Sequence, residues 1–528
     1  MAKERQKEYK PLSFSTTMRN PARIADFLNC ILPFEGQILT EQIIHEVAVK
    51  LISKKLYKPT FIGTDPRLKA IYNSDEDFSL EDTEYIIKNS PQQHKEAGFE
   101  AGWPSRFDTW YKLPMEFGFI YYAMNAPIEI STTGHMLVDA VREIPKNDDK
   151  IQNVFLNALM KYQTNNPFRK NANTNAPLPL LLNLIKLLKD DPKEGDSGVF
   201  ISELSLIICW PDNDVKSLYQ AVKDFRKKHR FTYGDEVMYD RCMQLLNADS
   251  SKKNRFKISQ ITGEAVDEFI RKMRITGLIS IRGNGRFVDF NSFESERIEY
   301  VIRNYTVFDS FSTKKDYFNY MGNIDPHILS IQHQEPTGMD AVKAKAIKEW
   351  ADNHDKDFIF EQLNITCSKA ESHDPTLRII DKPTRFEFLV SIALKQHFKD
   401  LIIKPNYKSD DEGIPTFTAA GGMADIECFD KDCNPLVEVT LMQARTQATN
   451  EMPAITRHLS EAIEKYSDTK VFTIFIAPTL HADTIYMAKF SKFQYNVDIV
   501  TLNIKEFIAK LGEVVKIVDF ISNNELSN

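Results

Sequence analysis

The chain is poor in several things. Its 528 residues include only six cysteines, Cys30, Cys209, Cys242, Cys367, Cys428 and Cys433, scattered with no Cys-x-x-Cys pair. That spacing argues against zinc and against a disulfide framework, and fits a reducing compartment. No apolar run is long enough to span a bilayer, and the start MAKERQKEYKPLSF lacks the apolar centre of a secretory signal. A cytoplasmic protein with no membrane partner is expected. No internal repeat or low-complexity tract stands out. Nor is there an excess of positive charge: 67 Lys and Arg against 74 Asp and Glu leave a formal charge of −7. In a long chain this excludes little, because a DNA-binding face needs only local clustering.

Hydrophobic residues make up 42% and charged ones 27%, the balance of a soluble globular protein. The length exceeds one ordinary core, so a multidomain α+β chain is expected. We expect an N-terminal subdomain over 1–170, a second subdomain over 171–300, a linker over 301–340 and a C-terminal domain over 341–528. Near the start, Ile24, Phe27, Leu28 and Ile31 fall at helical spacing, with Asn20 and Pro21 as cap and first-turn residues. A polar stretch, YQTNNPFRKNANTNAPLP, reads as a loop and marks a boundary near 165–178.

The segment KISQITGEAVDEFIRKMRITGLISIRGNGRFVDF, Lys257 to Phe290, carries more. Val266, Phe269, Ile270 and Met273 form one helical face, and the chain leaves that helix at Gly277. Two β-prone runs follow, LISI and RFVDF, separated by Gly283-Asn284-Gly285, a strong hairpin signal because these residues accept positive φ. Helix, turn, helix and basic hairpin is the winged-helix order. The exposed side of the second helix would carry Arg271, Lys272 and Arg274, and the wing Arg282 and Arg286, to meet double-stranded DNA. The competing reading is an ordinary α+β subdomain with a solvated basic face. A further cluster, KDFRKKHRF at Lys223–Phe231, adds to the positive surface.

Beyond about residue 341 helices and strands alternate: TRFEFLVSIALKQHF as helix, LIIKP, MADIECF and LVEVTL as strands, MPAITRHLSEAIEKY as helix, VFTIFIAP as strand. This predicts an α/β core with a central mixed sheet. Two of those strands carry a carboxylate where an apolar residue would be cheaper to bury. Asp425 opens one and Glu438 lies in the next, across a turn-forming DKDCNP. Adjacent antiparallel strands can set two such carboxylates side by side as ligands for Mg2+, which prefers oxygen donors and would activate water against a phosphodiester. The spacing is that of a PD-(D/E)xK nuclease core, with Thr440 where the motif has lysine. The competing reading is two carboxylates on a half-solvated sheet. Glu387 on the preceding helix, and Glu451 and His458 on one face of the following one, favour the metal site; His458 would relay a proton. Gln443, Arg445 and Gln447 are candidates for the scissile phosphate, and Arg457 lies beside His458.

The VEVTL run, the upstream MADIE strand, the helical FEF glutamate, the downstream QARTQ with its Glu and His, and the opening FSTTMRNPARI together resemble the AlwI family of type IIS restriction endonucleases, which includes MlyI-like cutters and BstNBI-like nicking enzymes. The resemblance covers nearly the whole chain, and the family shares the threonine. It implies N-terminal recognition with helical and winged-helix parts, a linker and a C-terminal cleavage domain. It also implies a bacterial enzyme that binds a short asymmetric site and cuts a few nucleotides to one side, leaving 5′-phosphate and 3′-hydroxyl ends. Glu387, Asp425, Glu438, Glu451 and His458 match the family's active-site positions, and a transient homodimer or a small subunit would supply second-strand cutting. Two other readings remain open at this point: a non-catalytic DNA-binding regulator, and a transposition or repair nuclease with the same core.

Overall fold

The computed structural model describes the chain except residues 1–6, 15–20, 22, 75, 97, 144–145, 170, 194–197, 249–255, 332–337, 444 and 523–528. Asn20, the expected cap, lies outside the described residues, as does much of FSTTMRNPARI. No helix among the described residues is long and apolar enough to cross a membrane. The fold is mixed α+β, and the chain divides into two compact units.

The first unit comprises Met1–Phe61, Phe78–Glu143 and Asn147–Gln334. Its helix α1, Arg23–Ile31, buries Ile24, Phe27, Leu28 and Ile31, the face that the spacing predicts. The polar stretch is a loop leading into the helix Pro177–Asp190, as read, but much of it is buried. Gln163, Thr164, Asn166, Asn173 and Asn175 are buried, and the Asn173 and Asn175 amides both donate to the Trp210 carbonyl, at 3.1 and 2.6 Å. Short amides can satisfy buried backbone carbonyls, so polar composition here reflects internal pairing rather than solvent. The segment expected to be a linker contains the helices Lys314–Gly322 and Pro326–Ser330, and Tyr317, Phe318 and Met321 are buried. Gly118 explains how closely that segment packs: it sits at φ +76°, and a Cβ there would come within 2.3 Å of the Met321 Cβ.

Helix α2 (Pro177–Asp190) precedes strand β1 (Val199–Phe200) and helix α3 (Val215–His229). A π-helical turn, Gln260–Glu264, then runs straight into helix α4 (Ala265–Arg274). Strands β2 (Ile279–Arg282) and β3 (Phe287–Phe290) pair antiparallel with Arg282 opposite Phe287, and β1 joins β3, giving the sheet order β1-β3-β2. Gly283, Asn284 and Gly285 all take positive φ, as the hairpin reading requires. Val266, Phe269, Ile270 and Met273 of α4 are buried as expected. The outer face of that helix is not as expected. Lys272 is fully buried, ion-paired to Glu268 at 2.5 Å and set over the Phe14 ring; Arg274 is also buried. Helical spacing locates one packed face, but here a second layer covers the flank. Arg271 is half-buried. Arg282 is held by Asp289 at 3.1 Å and by the Phe290 carbonyl, which leaves Arg286 as the exposed arginine of the hairpin.

The second unit comprises Ile62–Asp77, Ile144–Lys146 and Glu335–Asn528. Helices α5 (Met339–Asn353), α6 (Lys356–Thr366) and α7 (Lys382–His397) lead into strands β4 (Ile402–Pro405), β5 (Ile426–Phe429) and β6 (Leu436–Val439). Helix α8 (Met452–Lys465), β7 (Thr473–Ala477), helix α9 (Ala482–Tyr495), β8 (Ile499–Asn503) and helix α10 (Ile504–Glu513) follow. The sheet order is β8-β7-β6-β5-β4, parallel from β6 to β8 and antiparallel from β6 to β4. This is a mixed sheet, as predicted.

Alternation along the strands decides which helix each residue meets. Ile426, Cys428, Val437, Ile474 and Ile476 join the core with Phe386, Leu389 and Val390 of α7. Leu436 belongs to a second cluster with Leu459 and Ala462 of α8, and Phe475 to a third with Met452 and Ile455. Glu438, two residues past Leu436, therefore shares the α8 face.

Candidate active site

The register pairs Leu436 with Glu427 and Val437 with Ile426. One step further sets Glu438 opposite Asp425, on the face that α8 covers. The Asp425 amide donates to Glu438 Oε2 at 3.4 Å, and Asp425 Oδ2 accepts from the Val439 amide at 2.7 Å. A π-helical turn, Gln447–Glu451, ends on Glu451 just before α8. Glu451 Oε1 accepts from the Thr440 hydroxyl at 3.1 Å, and that hydroxyl accepts from the Met442 amide. Thr440, at the position where a lysine is usual, thus couples the strand to a third carboxylate. From the second turn of α8, His458 Nδ1 meets Glu438 Oε1 at 2.9 Å. Asp425, Glu438, Glu451 and His458 form one connected cluster.

Glu387 is tied instead to the chain that precedes Asp425. Buried on α7, it accepts a hydrogen bond from the Ala419 amide at 3.1 Å, on the loop that runs down to Asp425. Gln447 has a different job from the phosphate contact expected of it. It is fully buried; its amide donates to the Met442 and Thr479 carbonyls and accepts from the His481 amide and the Thr484 hydroxyl. Those bonds use its whole capacity, so it braces the turn that carries Glu451. The sequence marked Gln447 but not this bracing role, since a braced amide has no periodicity. Arg445 is exposed and pairs with Asp483 at 3.2 Å; Gln443 is half-exposed; Arg457 is exposed beside Glu461.

Charge is under tension in this cluster. Burial pushes the Glu438 carboxyl up to about 8, with Glu451 adding to the rise. Burial, and then the Glu438 charge, hold Asp425 well above the usual carboxylate range, and burial also raises Glu451. Like charges in a dry site resist ionising together. Burial lowers the His458 imidazole, which keeps it neutral near pH 7. With Nδ1 engaged by Glu438, Nε2 is buried without a hydrogen-bond partner.

Such a cluster could hold a divalent cation. The donors are hard oxygens, and a cation held there would favour the ionised carboxylates that burial disfavours. Among the described residues no three His, Cys, Asp or Glu side chains already stand as a complete ligand set. Magnesium commonly takes one or two protein carboxylates, with water and substrate phosphate completing the shell. The residues fit such an ion.

A mixed sheet with a cross-strand Asp/Glu pair, a third carboxylate and a neutral imidazole has the chemistry of a phosphodiester hydrolase. Residues 115–335 and 326–509 match the AlwI restriction endonuclease family. The chain belongs to that family, and so to the DNA-cleaving hydrolases. No curated protein matches it. Among solved structures, it is similar to the restriction endonuclease FokI at 10% identity over 98% of each chain, with a TM-score of 0.27. FokI bound to DNA matches at 11% identity over 97% of each chain, TM-score 0.25. The small subunit of the heterodimeric restriction endonuclease R.BspD6I matches at 21% identity over 32% of this chain and 77% of that one, TM-score 0.23.

Proposed function

We propose that this chain is a Mg2+-dependent, site-specific DNA endonuclease of type IIS organisation, which binds a short asymmetric sequence and cuts to one side of it. The observation that carries the reading is the hydrogen-bonded cluster of Asp425, Glu438, Glu451 and His458 at the end of a mixed sheet. Asp425 and Glu438 would hold the ion in a PD-(D/E)xK-type core. When bound, that ion polarises the phosphoryl oxygen and lowers the pKa of a coordinated water. Glu451, fixed by Thr440, orients the site; Glu387 anchors the loop that delivers Asp425. His458 Nε2 is the free base that takes the water's proton.

Recognition belongs to the first unit. The order α2, β1, α4, β2, β3 with the sheet β1-β3-β2 supports a winged helix, whose wing presents Arg286 to the backbone. Arg271 is the α4 arginine best placed for DNA, whereas Lys272, Arg274 and Arg282 act as supports.

One cluster hydrolyses one strand. An asymmetric sequence recruits no symmetric dimer by itself, so the protein binds as a monomer and nicks first. The test is digestion of plasmid DNA in Mg2+ followed by sequencing of the ends. Ends at one fixed offset from a single short sequence are expected. Structure-dependent cuts would move the chain to repair or transposition, and binding without cuts would make it a regulator.

A further inference from the structure

The charged run Lys223–Phe231 has no part in α4 or the hairpin, and it does not end as an ordinary solvated helix would. Lys223 and Arg226 are taken up by ion pairs, with Asp191 at 2.5 Å and Glu203 at 2.8 Å. Lys227, Lys228 and Arg230 are exposed and form no ion pair among the described residues. Cations suit the C-terminal end of a helix dipole, which accounts for Lys227 and Lys228 on α3. The turn that follows needs another reason. Arg230 sits at φ +54° and ψ −132°, the corner that a type II′ turn gives to glycine. Strain of this kind on an exposed turn points to use rather than to stability.

The strained turn delivers Phe231, which is 41% exposed. Its ring is firmly backed. The Arg226 guanidinium lies 5.2 Å from the ring centroid, and Phe200 and Phe287 meet the ring edge-on at 5.4 and 5.6 Å. Tyr233 pins the far side of the turn, with its hydroxyl 2.7 Å from that of Ser202 and its ring 4.6 Å from Phe225. Phe287 follows Arg286 in the chain, so the turn and the wing stand on one aromatic base.

We propose that this turn is a second DNA contact, at which Phe231 presses into a base step as an apolar wedge and bends the duplex, while Lys227, Lys228 and Arg230 hold the flanking phosphates. The inference rests on the nuclease reading and goes beyond it, giving the first unit a way to read DNA by its deformability. Three features favour duplex DNA as the occupant. An exposed ring bordered by unpaired cations matches a partner that sets apolar base faces beside phosphates, and proteins that wedge base steps from the minor groove combine such side chains with Arg and Lys. A firmly backed ring loses little freedom on binding, which leaves the contact energy for unstacking the step. The surface also continues into the wing, where Arg286 faces the backbone in the same reading.

The experiment uses the full chain and a duplex that the wild type selects from a random pool in metal-free buffer, labelled with donor and acceptor dyes at its two ends. Energy transfer reads the bend, anisotropy over a salt series reads the affinity, and thermal melting reads the fold. The wild type is expected to raise the transfer on binding. Phe231→Ala is expected to abolish that rise and to bind about tenfold more weakly, as when one base loses its aromatic contact. Lys227→Ala/Lys228→Ala should lower the slope of log affinity against log salt by about two. Arg230→Gly should bind more weakly yet melt at or above the wild-type temperature, because glycine takes the strained corner freely. A merely structural arginine would not separate those two readouts, and this variant keeps the test decisive if Phe231→Ala fails to fold. Wild-type affinity and salt slope in Arg230→Gly and in the double lysine variant, Phe231→Ala that bends DNA like wild type, or a wild type that binds without bending, would each overturn the inference and leave the nuclease reading standing. A selected duplex that is bound and bent but never cut in Mg2+ would sink the nuclease reading and leave the contact standing.

Discussion

At the residue scale the carboxylates set the terms. A carboxyl whose folded pKa is raised binds its proton more tightly in the folded state. Its protonation therefore supports the fold fully below the unfolded value, and that support is lost as pH rises through the folded one. With Glu438 near 8, the metal-free protein should lose thermal stability steadily between about pH 4.5 and 8. Mg2+ should restore most of it at pH 8 and little at pH 5, because only ionised carboxylates bind the ion. Glu438→Gln should flatten the pH slope; melting curves at pH 5, 6.5 and 8, with and without Mg2+, read this directly. A slope unchanged in Glu438→Gln would locate the titrating group elsewhere. Asp425 and Glu438 were legible in the sequence because a charge on each of two paired strands stands out against Val, Ile and Leu. The bracing role of Gln447 was not, because it lies in four backbone and hydroxyl partners that only the folded chain brings near.

At the element scale, patterning found the helices and the hairpin but not every exposed face. The period of α4 located Val266, Phe269, Ile270 and Met273, since one apolar face is what a 3.6-residue repeat encodes. It could not show that Lys272 lies under Phe14 and against Glu268, since those contacts come from outside the helix's own repeat. The two basic residues should thus behave oppositely. Lys272→Met removes the buried Lys272–Glu268 ion pair and should destabilise the protein by about 3–5 kcal/mol. Arg286→Ala should leave the melting temperature unchanged, weaken DNA binding and reduce the salt slope of binding by about one. Denaturant melts and DNA titrations at several salt concentrations distinguish them. A stable Lys272→Met that fails to bind DNA would return Lys272 to the groove.

At the scale of the whole molecule, composition predicted several domains, and the chain divides into two compact units that it crosses between more than once. A return such as Ile62–Asp77 to the second unit leaves no compositional mark. The basic hairpin lies in one unit and the carboxylate cluster in the other. The central claim is that Asp425 and Glu438 hold the ion that cuts DNA. Cleavage by Asp425→Asn and Glu438→Gln, measured in Mg2+ at DNA concentrations where binding is matched to wild type, tests it most directly. Each variant should bind the site as wild type does and cut it slower by several orders of magnitude, since the metal supplies several kcal/mol of transition-state stabilisation. Cutting by either variant within about tenfold of wild type would remove that residue from the metal site and contradict the account.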